Sequence, residues 1–432
     1  MNSLYLTKEQ LSVDDFAIVC EQTTPLKDFP LARKAELDVL IYQREDLTKA
    51  AAEHRQTVLS ELHRALSSGP GVFVVKGLFS DLPTVDRNSA LFEQILLSES
   101  ESGSGGDHFA AAGNNGRIWN ALQKVAERDA DAFIDYYCNP LLALICESWV
   151  GPGYEMTAQV NQVRPGGKAQ QPHRDYHLGF QSNEVVERFP LPLQILSQYL
   201  TLQGAVAHSD MPVESGPTQL LPWSHQYQAG YLAWRDEKFI DYFQRNAIQL
   251  PLEKGDGLFF NPALFHAAGS NHTHDHIRTA NLLQVSSSFG KTMEKVNHIK
   301  VLQHIYPALR LRRMSEERIN AVIAAAAEGY SFPTNLDTDP PVGGWYLRLS
   351  SRCCCRHCAR VGLRSCLING CKSTSRNGKR NALWEITGTG RLEKGSPPTS
   401  DRPRPHRINT RRLNHRWCAD RTHRNAYRPA PA

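Results

Sequence analysis

The sequence predicts an α+β fold in which helices surround a central β-barrel or β-sandwich. Between residues 154 and 288, short apolar, β-branched and aromatic runs alternate with Gly, Pro, Asn and Asp clusters, as is typical of short strands and their turns. On both sides of this region, apolar residues recur at helical spacing. The 432 residues suffice for a large core, and no run of about eighteen apolar residues indicates a membrane span.

The individual elements follow from the same patterns. Residues 44–67 predict a helix that ends at the Ser-Gly-Pro-Gly sequence of 68–71, and the β-branched run at 71–79 predicts a strand. A flexible Gly/Ser loop is expected at 101–106. Further helices are predicted at 89–98, 120–149, 231–246, 291–304 and 315–328. Further strands are predicted at 154–163, 194–207, 216–223, 256–268 and 278–288.

Charge divides the chain into two regions that the net charge of +5 conceals. Residues 346–432 hold 20 Lys+Arg and 4 Asp+Glu, a net of +16, and seven of the ten cysteines. The remaining residues hold 29 Lys+Arg and 40 Asp+Glu, a net of −11. We expect a helical segment at 1–70 that packs on the core, a main domain at 71–335, and a basic, disordered C-terminal tail at 346–432, because the tail is poor in apolar residues.

Three interpretations of the tail remain open. Arg-rich tails bind nucleic acid through phosphate contacts. Cys355 and Cys358 have the CxxC spacing of a zinc site, although the second half of a zinc ribbon is absent. We favour a dispensable or mis-specified extension, and therefore expect no nucleic-acid partner. The absence of a signal-peptide layout, a membrane span and a C-terminal peroxisomal signal predicts a cytoplasmic protein.

The strongest local signal for chemistry is the sequence QQPHRDYHLGF at 170–180. His173 and Asp175 are two residues apart, so on an extended backbone both side chains point to one face. An imidazole and a carboxylate side by side form half of a metal site. Alone, this pair also fits a surface histidine beside a solvated acid.

Two downstream residues complete the pattern. His266 lies at the far end of an apolar strand, and Arg278 opens the next strand at the edge of an apolar surface. A buried Arg needs an anionic partner, and its planar fork fits a carboxylate best. Two His and one carboxylate on one face of a metal leave three coordination positions open, which is the ligand set of non-haem Fe(II) oxygenases.

At this point the chain resembles the phytanoyl-CoA dioxygenase family, whose members are Fe(II)- and 2-oxoglutarate-dependent oxygenases with a double-stranded β-helix (jelly-roll) core. The resemblance extends from about residue 71 to 333. Within the family, the sequences of these segments are most similar to those of fungal members that act in specialised metabolism. The motifs that carry it are HRD at 173–175, VESGPTQLLPWSH at 213–225, GDGLFFNPALFHAAG at 255–269 and the IRTANLLQVS strand that follows.

The resemblance implies a role for each matching residue. His173, Asp175 and His266 would ligate Fe(II), and Arg278 would pair with the distal carboxylate of 2-oxoglutarate, with O2 as the second co-substrate. Gln171 is similar to a position that helps to hold the co-substrate. A serine that the family carries two residues after the second His ligand is replaced here by Ala268, which leaves the secondary co-substrate contacts open.

The substrate pocket is less well defined by the sequence. Tyr176, Trp223 and His225 are candidates for lining it, with aromatic core packing as the alternative for the first two. His177 continues the alternation after Asp175 but precedes a turn, so we expect it to leave the metal. The histidines between 271 and 276 are expected to lie in a solvated hairpin loop.

The presence of the Asp175 carboxylate favours hydroxylation, desaturation or cyclisation over halogenation, because halogenating relatives carry a small residue there. We expect a free small-molecule substrate, such as an alkaloid, terpenoid or amino-acid-derived intermediate, with release of succinate and CO2. The alternatives are an acyl-CoA α-hydroxylase of lipid catabolism and a zinc-dependent hydrolase that uses the same three ligands. The sequence does not indicate an oligomeric state.

Overall fold

The computed structural model describes residues 4–102 and 115–330. The predicted tail at 346–432 lies outside the described residues, as does most of the predicted loop at 101–106. The helices are α1 (Val13–Cys20), α2 (Arg44–Ser67), α3 (Leu82–Glu101), α4 (Ala121–Arg128), α5 (Ala130–Tyr137), α6 (Pro140–Val150), α7 (Asn183–Val186), α8 (Leu191–Gln198), α9 (Gly230–Ala233), α10 (Glu237–Asn246), α11 (His298–Leu309) and α12 (Glu316–Ala326). The strands are β1 (Lys34–Glu36), β2 (Val39–Gln43), β3 (Val72–Lys76), β4 (Asn115–Ile118), β5 (Glu155–Val163), β6 (Thr201–Ala207), β7 (Gln219–Leu221), β8 (Gly257–Phe260), β9 (Phe265–Ala267) and β10 (Arg278–Ser286).

The main sheet of the described region has eight strands in the order β1-β2-β3-β8-β6-β10-β5-β4. Every neighbouring pair is antiparallel except β2 and β3. The central strand β10 pairs along its whole length with β5, from Arg278 opposite Val163 to Ser286 opposite Glu155. The main sheet therefore fixes the positions of the inner side chains across four consecutive strands, β8, β6, β10 and β5.

A smaller sheet lies opposite these four strands. β7 pairs with β9, and single bridges add the segment at His173, opposite His266, and the segment at Ile248, opposite Leu220. Along the chain, segments of the two sheets interleave from β5 to β10. This is the topology of a double-stranded β-helix, and it confirms the predicted α+β fold with a jelly-roll core flanked by helices.

The two faces of the main sheet contact different partners, as the two-residue period of strands requires. Outward residues such as Leu202 and Val206 of β6 join the large core formed with the helices. Inward residues such as Ala205 of β6 and Phe260 of β8 join a smaller core with Leu220 of β7. The space between the sheets is therefore lined by alternate strand residues.

The structure differs from the sequence prediction at several elements. The helix predicted at 231–246 forms α9 and α10, and the strand predicted at 256–268 forms β8 and β9. The helical pattern at 120–149 forms three helices, because Asp129 and Asn139 each cap a new helix and Pro140 starts the last one. The first part of the strand predicted at 194–207 is instead α8, with Pro in its first turn. Residues 34–43 form β1 and β2, which extend the main sheet and which the sequence did not predict.

Membrane insertion gains no support from the helices. Within the described residues, none combines the length and the apolar composition needed to cross a bilayer.

Candidate active site

Three side chains with metal-binding chemistry converge between the two sheets. His173, Asp175 and His266 each offer a ligand atom, and these atoms all lie within 4.8 Å of one another. Nε2 of His173 lies 3.6 Å from Oδ1 of Asp175, and Nε2 of His266 lies 3.5 Å from Oδ2 of Asp175. Among the described residues, no other group of three His, Cys, Asp or Glu side chains meets this arrangement.

Backbone pairing explains how ligands 93 positions apart in the sequence come together. The N–H of His173 donates to the carbonyl of His266, at 3.0 Å, and the N–H of His266 donates back, at 3.2 Å. The two histidines are thus direct cross-strand partners, and their ring centroids lie 4.4 Å apart. The N–H of Asp175 donates to the carbonyl of Pro262, which holds the next part of the same segment.

Both imidazole rings are oriented by backbone carbonyls. Nδ1 of His173 lies 2.8 Å from the carbonyl oxygen of Gln171, and Nδ1 of His266 lies 2.9 Å from that of Leu264. A carbonyl only accepts, so each Nδ1 carries the proton and each Nε2 presents its lone pair towards Asp175. This is the tautomer that a metal-binding histidine requires.

The charges at the site favour metal binding. Burial alone would raise the pKa of the Asp175 carboxyl, but His173, His266 and the Gln203 amide outweigh it and lower the pKa to about 2. Burial also lowers the pKa of His173, against the opposing effect of Asp175. Two histidines beside an ionised carboxylate form a donor set that suits a divalent ion such as Fe(II).

Gln203 on β6 is a site residue that the sequence analysis missed. Its Nε2 donates to Oδ2 of Asp175, and the side chain is buried. A carboxylate cannot donate, so the direction of the amide group is fixed by chemistry. Because β6 has the sequence pattern of an apolar strand, the only sequence signal for this role of Gln203 is its polar side chain among buried neighbours.

The three ligands lie in the wall of a cavity of about 530 Å³. Arg278, the first residue of β10, lines the same cavity, and 6% of its surface is exposed. Its Nη1 donates to the carbonyl of Gly216, and burial lowers its pKa to about 10. No acidic side chain in the described part of the chain forms an ion pair with Arg278, so its charge is available to an anionic ligand.

A polar wall of five residues lines the cavity beyond the ligands. We call this set the polar wall: Arg117, Gln159, Asn161, Gln203 and Gln284. Nη1 of Arg117 donates to Oε1 of Gln159, at 3.0 Å. None of these residues was predicted, although Gln159 and Asn161 alternate with Ala158 and Val160 as inward strand positions do.

The predicted co-substrate contact Gln171 lines the cavity, and its carbonyl orients His173. Beside it, Oε1 of Gln170 accepts from the N–H of Ala268, the residue that stands where the family serine was expected. The role of Gln171 towards a co-substrate stays a prediction.

The three residues predicted for the substrate pocket are not among those that line this cavity. Tyr176 is buried behind the wall, where its hydroxyl donates to Gln284. The backbone of Trp223 is left-handed, with φ of +69°, and its backbone N–H donates to the carbonyl of Pro70. His225 lines a separate crevice, with Nε2 3.1 Å from the carbonyl oxygen of Ser67.

The rival histidines lie away from the metal ligands. Tyr176 has a φ of +39°, which ends the extended segment and turns His177 away from the cavity lining. The loop between β9 and β10 is held by the buried Asn271, while His272 and His274 are exposed. Neither group joins the ligand set of the described region.

Comparison with protein families agrees with this geometry. Residues 68–280, which contain all three candidate ligands and Arg278, match the model described as Phytanoyl-CoA dioxygenase (PhyH). This segment belongs to the phytanoyl-CoA dioxygenase family.

Curated dioxygenases from fungi match this chain over part of their length. Dioxygenase aneA of Aspergillus aculeatus is 30% identical over 166 residues, which cover 38% of this chain and 48% of the relative. Dioxygenase FrzG of a Cladobotryum species is 30% identical over 128 residues, 29% of this chain and 39% of the relative. The chain thus spans about half the length, or less, of these curated phytanoyl-CoA dioxygenase relatives.

A solved structure is similar over a larger share of its own chain. SnoK, described as a non-heme alpha ketoglutarate dependent carbocyclase from nogalamycin biosynthesis, is 19% identical to this chain. The alignment covers 57% of this chain and 89% of SnoK, with a TM-score of 0.42.

Proposed function

We propose that this protein is an Fe(II)- and 2-oxoglutarate-dependent dioxygenase that oxidises a small-molecule intermediate of specialised metabolism. One observation carries the proposal. His173, Asp175 and His266 present two imidazole lone pairs and a carboxylate in the wall of a cavity that also holds Arg278, a buried cation with no acidic partner among the described residues. The names of the dioxygenases aneA and FrzG support the same class of reaction.

The ligand set fits iron. Two neutral imidazoles and one carboxylate on one face are the donors that non-haem Fe(II) oxygenases use, and they leave positions for other ligands. When bound there, iron with 2-oxoglutarate and O2 supplies the oxidising chemistry, and 2-oxoglutarate leaves as succinate and CO2. The carboxylate of Asp175 favours hydroxylation, desaturation or cyclisation over halogenation.

Arg278 is suited to bind the distal carboxylate of 2-oxoglutarate. Its guanidinium offers a planar fork of donors, and only one of them is used by Gly216. Met211 and Leu252, which line the cavity with Arg278, exclude water and strengthen a charge-assisted hydrogen bond there.

The polar wall is suited to orient the substrate. Its amide groups and the Arg117 guanidinium face a cavity that also contains apolar residues such as Phe260 and Leu282. We expect an apolar molecule with several oxygen or nitrogen acceptors, consistent with a free intermediate rather than a bulky CoA thioester.

The proposal is tested with iron-loaded protein, 2-oxoglutarate and a panel of candidate intermediates. We expect succinate to form together with a product changed by +16 Da for hydroxylation, or −2 Da for desaturation or ring closure. His173→Ala and Asp175→Ala abolish 2-oxoglutarate turnover. If turnover persists unchanged in either variant, the metal site is assigned wrongly.

A second arm tests the co-substrate site. Arg278→Leu raises the KM for 2-oxoglutarate about 100-fold, because the carboxylate loses its charged partner, and Arg278→Lys recovers part of that loss. Arg164→Leu is the matched control, since this exposed Arg follows Val163, the cross-strand partner of Arg278. Activity confined to acyl-CoA substrates would support the α-hydroxylase alternative, and zinc content without 2-oxoglutarate binding would support the hydrolase.

A further inference from the structure

A buried arginine lies directly behind the metal-binding segment. Arg174 stands between the ligands His173 and Asp175, and 2% of its surface is exposed. Its Nη2 donates to the carbonyls of Ser224, at 2.6 Å, and Tyr227, at 2.9 Å. Its Nε is buried without a hydrogen-bond partner, and its Nη1 forms none with the described residues.

The positive charge of Arg174 lacks a negative partner in the described region. The rings of Tyr231 and Phe265 lie 5.3 and 5.2 Å from its Cζ and offer their faces to the cation. The neighbouring Cys20 stays a neutral thiol, because burial raises its pKa to about 12. A guanidinium is not deprotonated in proteins, so Arg174 is charged at neutral pH.

Arg174 contributes to the lining of the active-site cavity and also lines a second crevice. The crevice has a volume of about 240 Å³, and its lining includes Ser67, Arg174, Gln194, Gln198, His225 and Tyr231. None of the described residues that line it is acidic. His225 adds no charge, because burial lowers its pKa to about 3. Arg174 is therefore the only charged group in the lining.

We propose that this crevice is a binding site for a small carboxylate, held by the guanidinium of Arg174. A buried cation is costly without an anionic partner, and two carbonyls and two ring faces leave three of its five N–H groups without acceptors. The volume exceeds what a halide ion needs and suits a molecule of a few heavy atoms. Tyr231 lines the same crevice, and its hydroxyl donates to the carbonyl of Asp175 at 3.4 Å, so the guanidinium of Arg174 is the charged donor left for the carboxylate.

Arg174 is the one described residue that the crevice lining shares with the active-site cavity, whereas Arg278 lines the cavity alone. The test of the crevice needs neither iron nor turnover. The thermal midpoint of the full-length, metal-free protein is measured against sodium acetate and sodium succinate, with sodium chloride replaced at constant ionic strength. We expect a saturable rise of about 5 °C at concentrations about 100-fold above half-saturation. No saturable rise with either carboxylate, or an equal rise with chloride alone, overturns the proposal.

Variants separate the crevice from the active-site cavity. Arg174→Met removes the response, and so does Gln198→Glu, which keeps the acceptor for Asn261 but adds a competing carboxylate to the crevice. Gln56→Glu makes the same charge change at an exposed position of α2 and keeps the response. The response also persists in Arg278→Leu. If Arg278→Leu abolishes it, or if Gln198→Glu and Arg174→Met both keep it, the carboxylate binds elsewhere and the proposal fails.

Discussion

Replacing Gln203 with Leu tests how the protein orients its metal-binding carboxylate. The Gln203 amide donates to Oδ2 of Asp175, which leaves Oδ1 free to turn towards the metal. A hydrogen bond to a charged group contributes about 1.5–3 kcal/mol, and loss of such a supporting contact typically costs about 10- to 100-fold in metal affinity. We therefore expect Gln203→Leu to weaken binding of Mn(II) or Co(II) by about that factor, measured by anaerobic titration of metal-free protein without 2-oxoglutarate.

The matched control is Gln284→Leu. Gln284 lies directly opposite Gln203 on β10 and lines the same cavity, but its Oε1 accepts from Tyr176 and does not contact Asp175. This variant should bind the metal as the unaltered protein does. Unchanged or tighter binding in Gln203→Leu, or an equal loss in both variants, would refute the assignment of Gln203 as the residue that positions the carboxylate.

Two further predictions concern stability. A Cβ on Gly230 would lie 1.9 Å from Cζ of Arg174, so Gly230→Ala should lower the free energy of unfolding in urea by about 2–3 kcal/mol. Gly290→Ala is the control and should be neutral, because its Cβ would have no neighbour closer than 3.9 Å. Equal unfolding midpoints for the two variants would contradict this packing. Burial would lower the pKa of His298, but the hydrogen bond with Glu155 raises this pKa overall. The ion pair between the two side chains therefore contributes its full stabilisation below pH about 6.5, and this contribution is lost as the pH rises through the raised pKa of His298. The stability difference between the unaltered protein and His298→Gln should therefore be larger at about pH 5.5 than at about pH 8.5, and a difference independent of pH would show that the ion pair is not formed.

The fold and the core of the metal site could be predicted because their signals are local. The alternation that places His173 and Asp175 on one face requires only an extended segment, and the apolar run before His266 requires only a buried strand. These patterns do not depend on which strands become neighbours. The family resemblance then implied a jelly-roll core, without an order for its strands.

The polar wall could not be predicted, because it exists only through sheet register. Gln159 on β5, Gln203 on β6 and Gln284 on β10 are far apart in sequence and lie on three different strands. Only the antiparallel pairing brings them to one face of the cavity. By contrast, Tyr176 was predicted for the pocket as the next residue after a ligand, but its positive φ turns the backbone, and its ring lies behind the cavity lining.

The position of β10 has a consequence for biosynthesis. Among the described residues it is the last strand in sequence order, yet it lies between β5 and β6 inside the main sheet. As the nascent polypeptide leaves the ribosome, all three metal ligands emerge before the strand that joins the two halves of this sheet. Such long-range pairing is slow to form. A partly synthesised chain that ends before residue 278 thus carries every ligand without the scaffold that aligns them, so that metal loading is expected to follow completion of the domain.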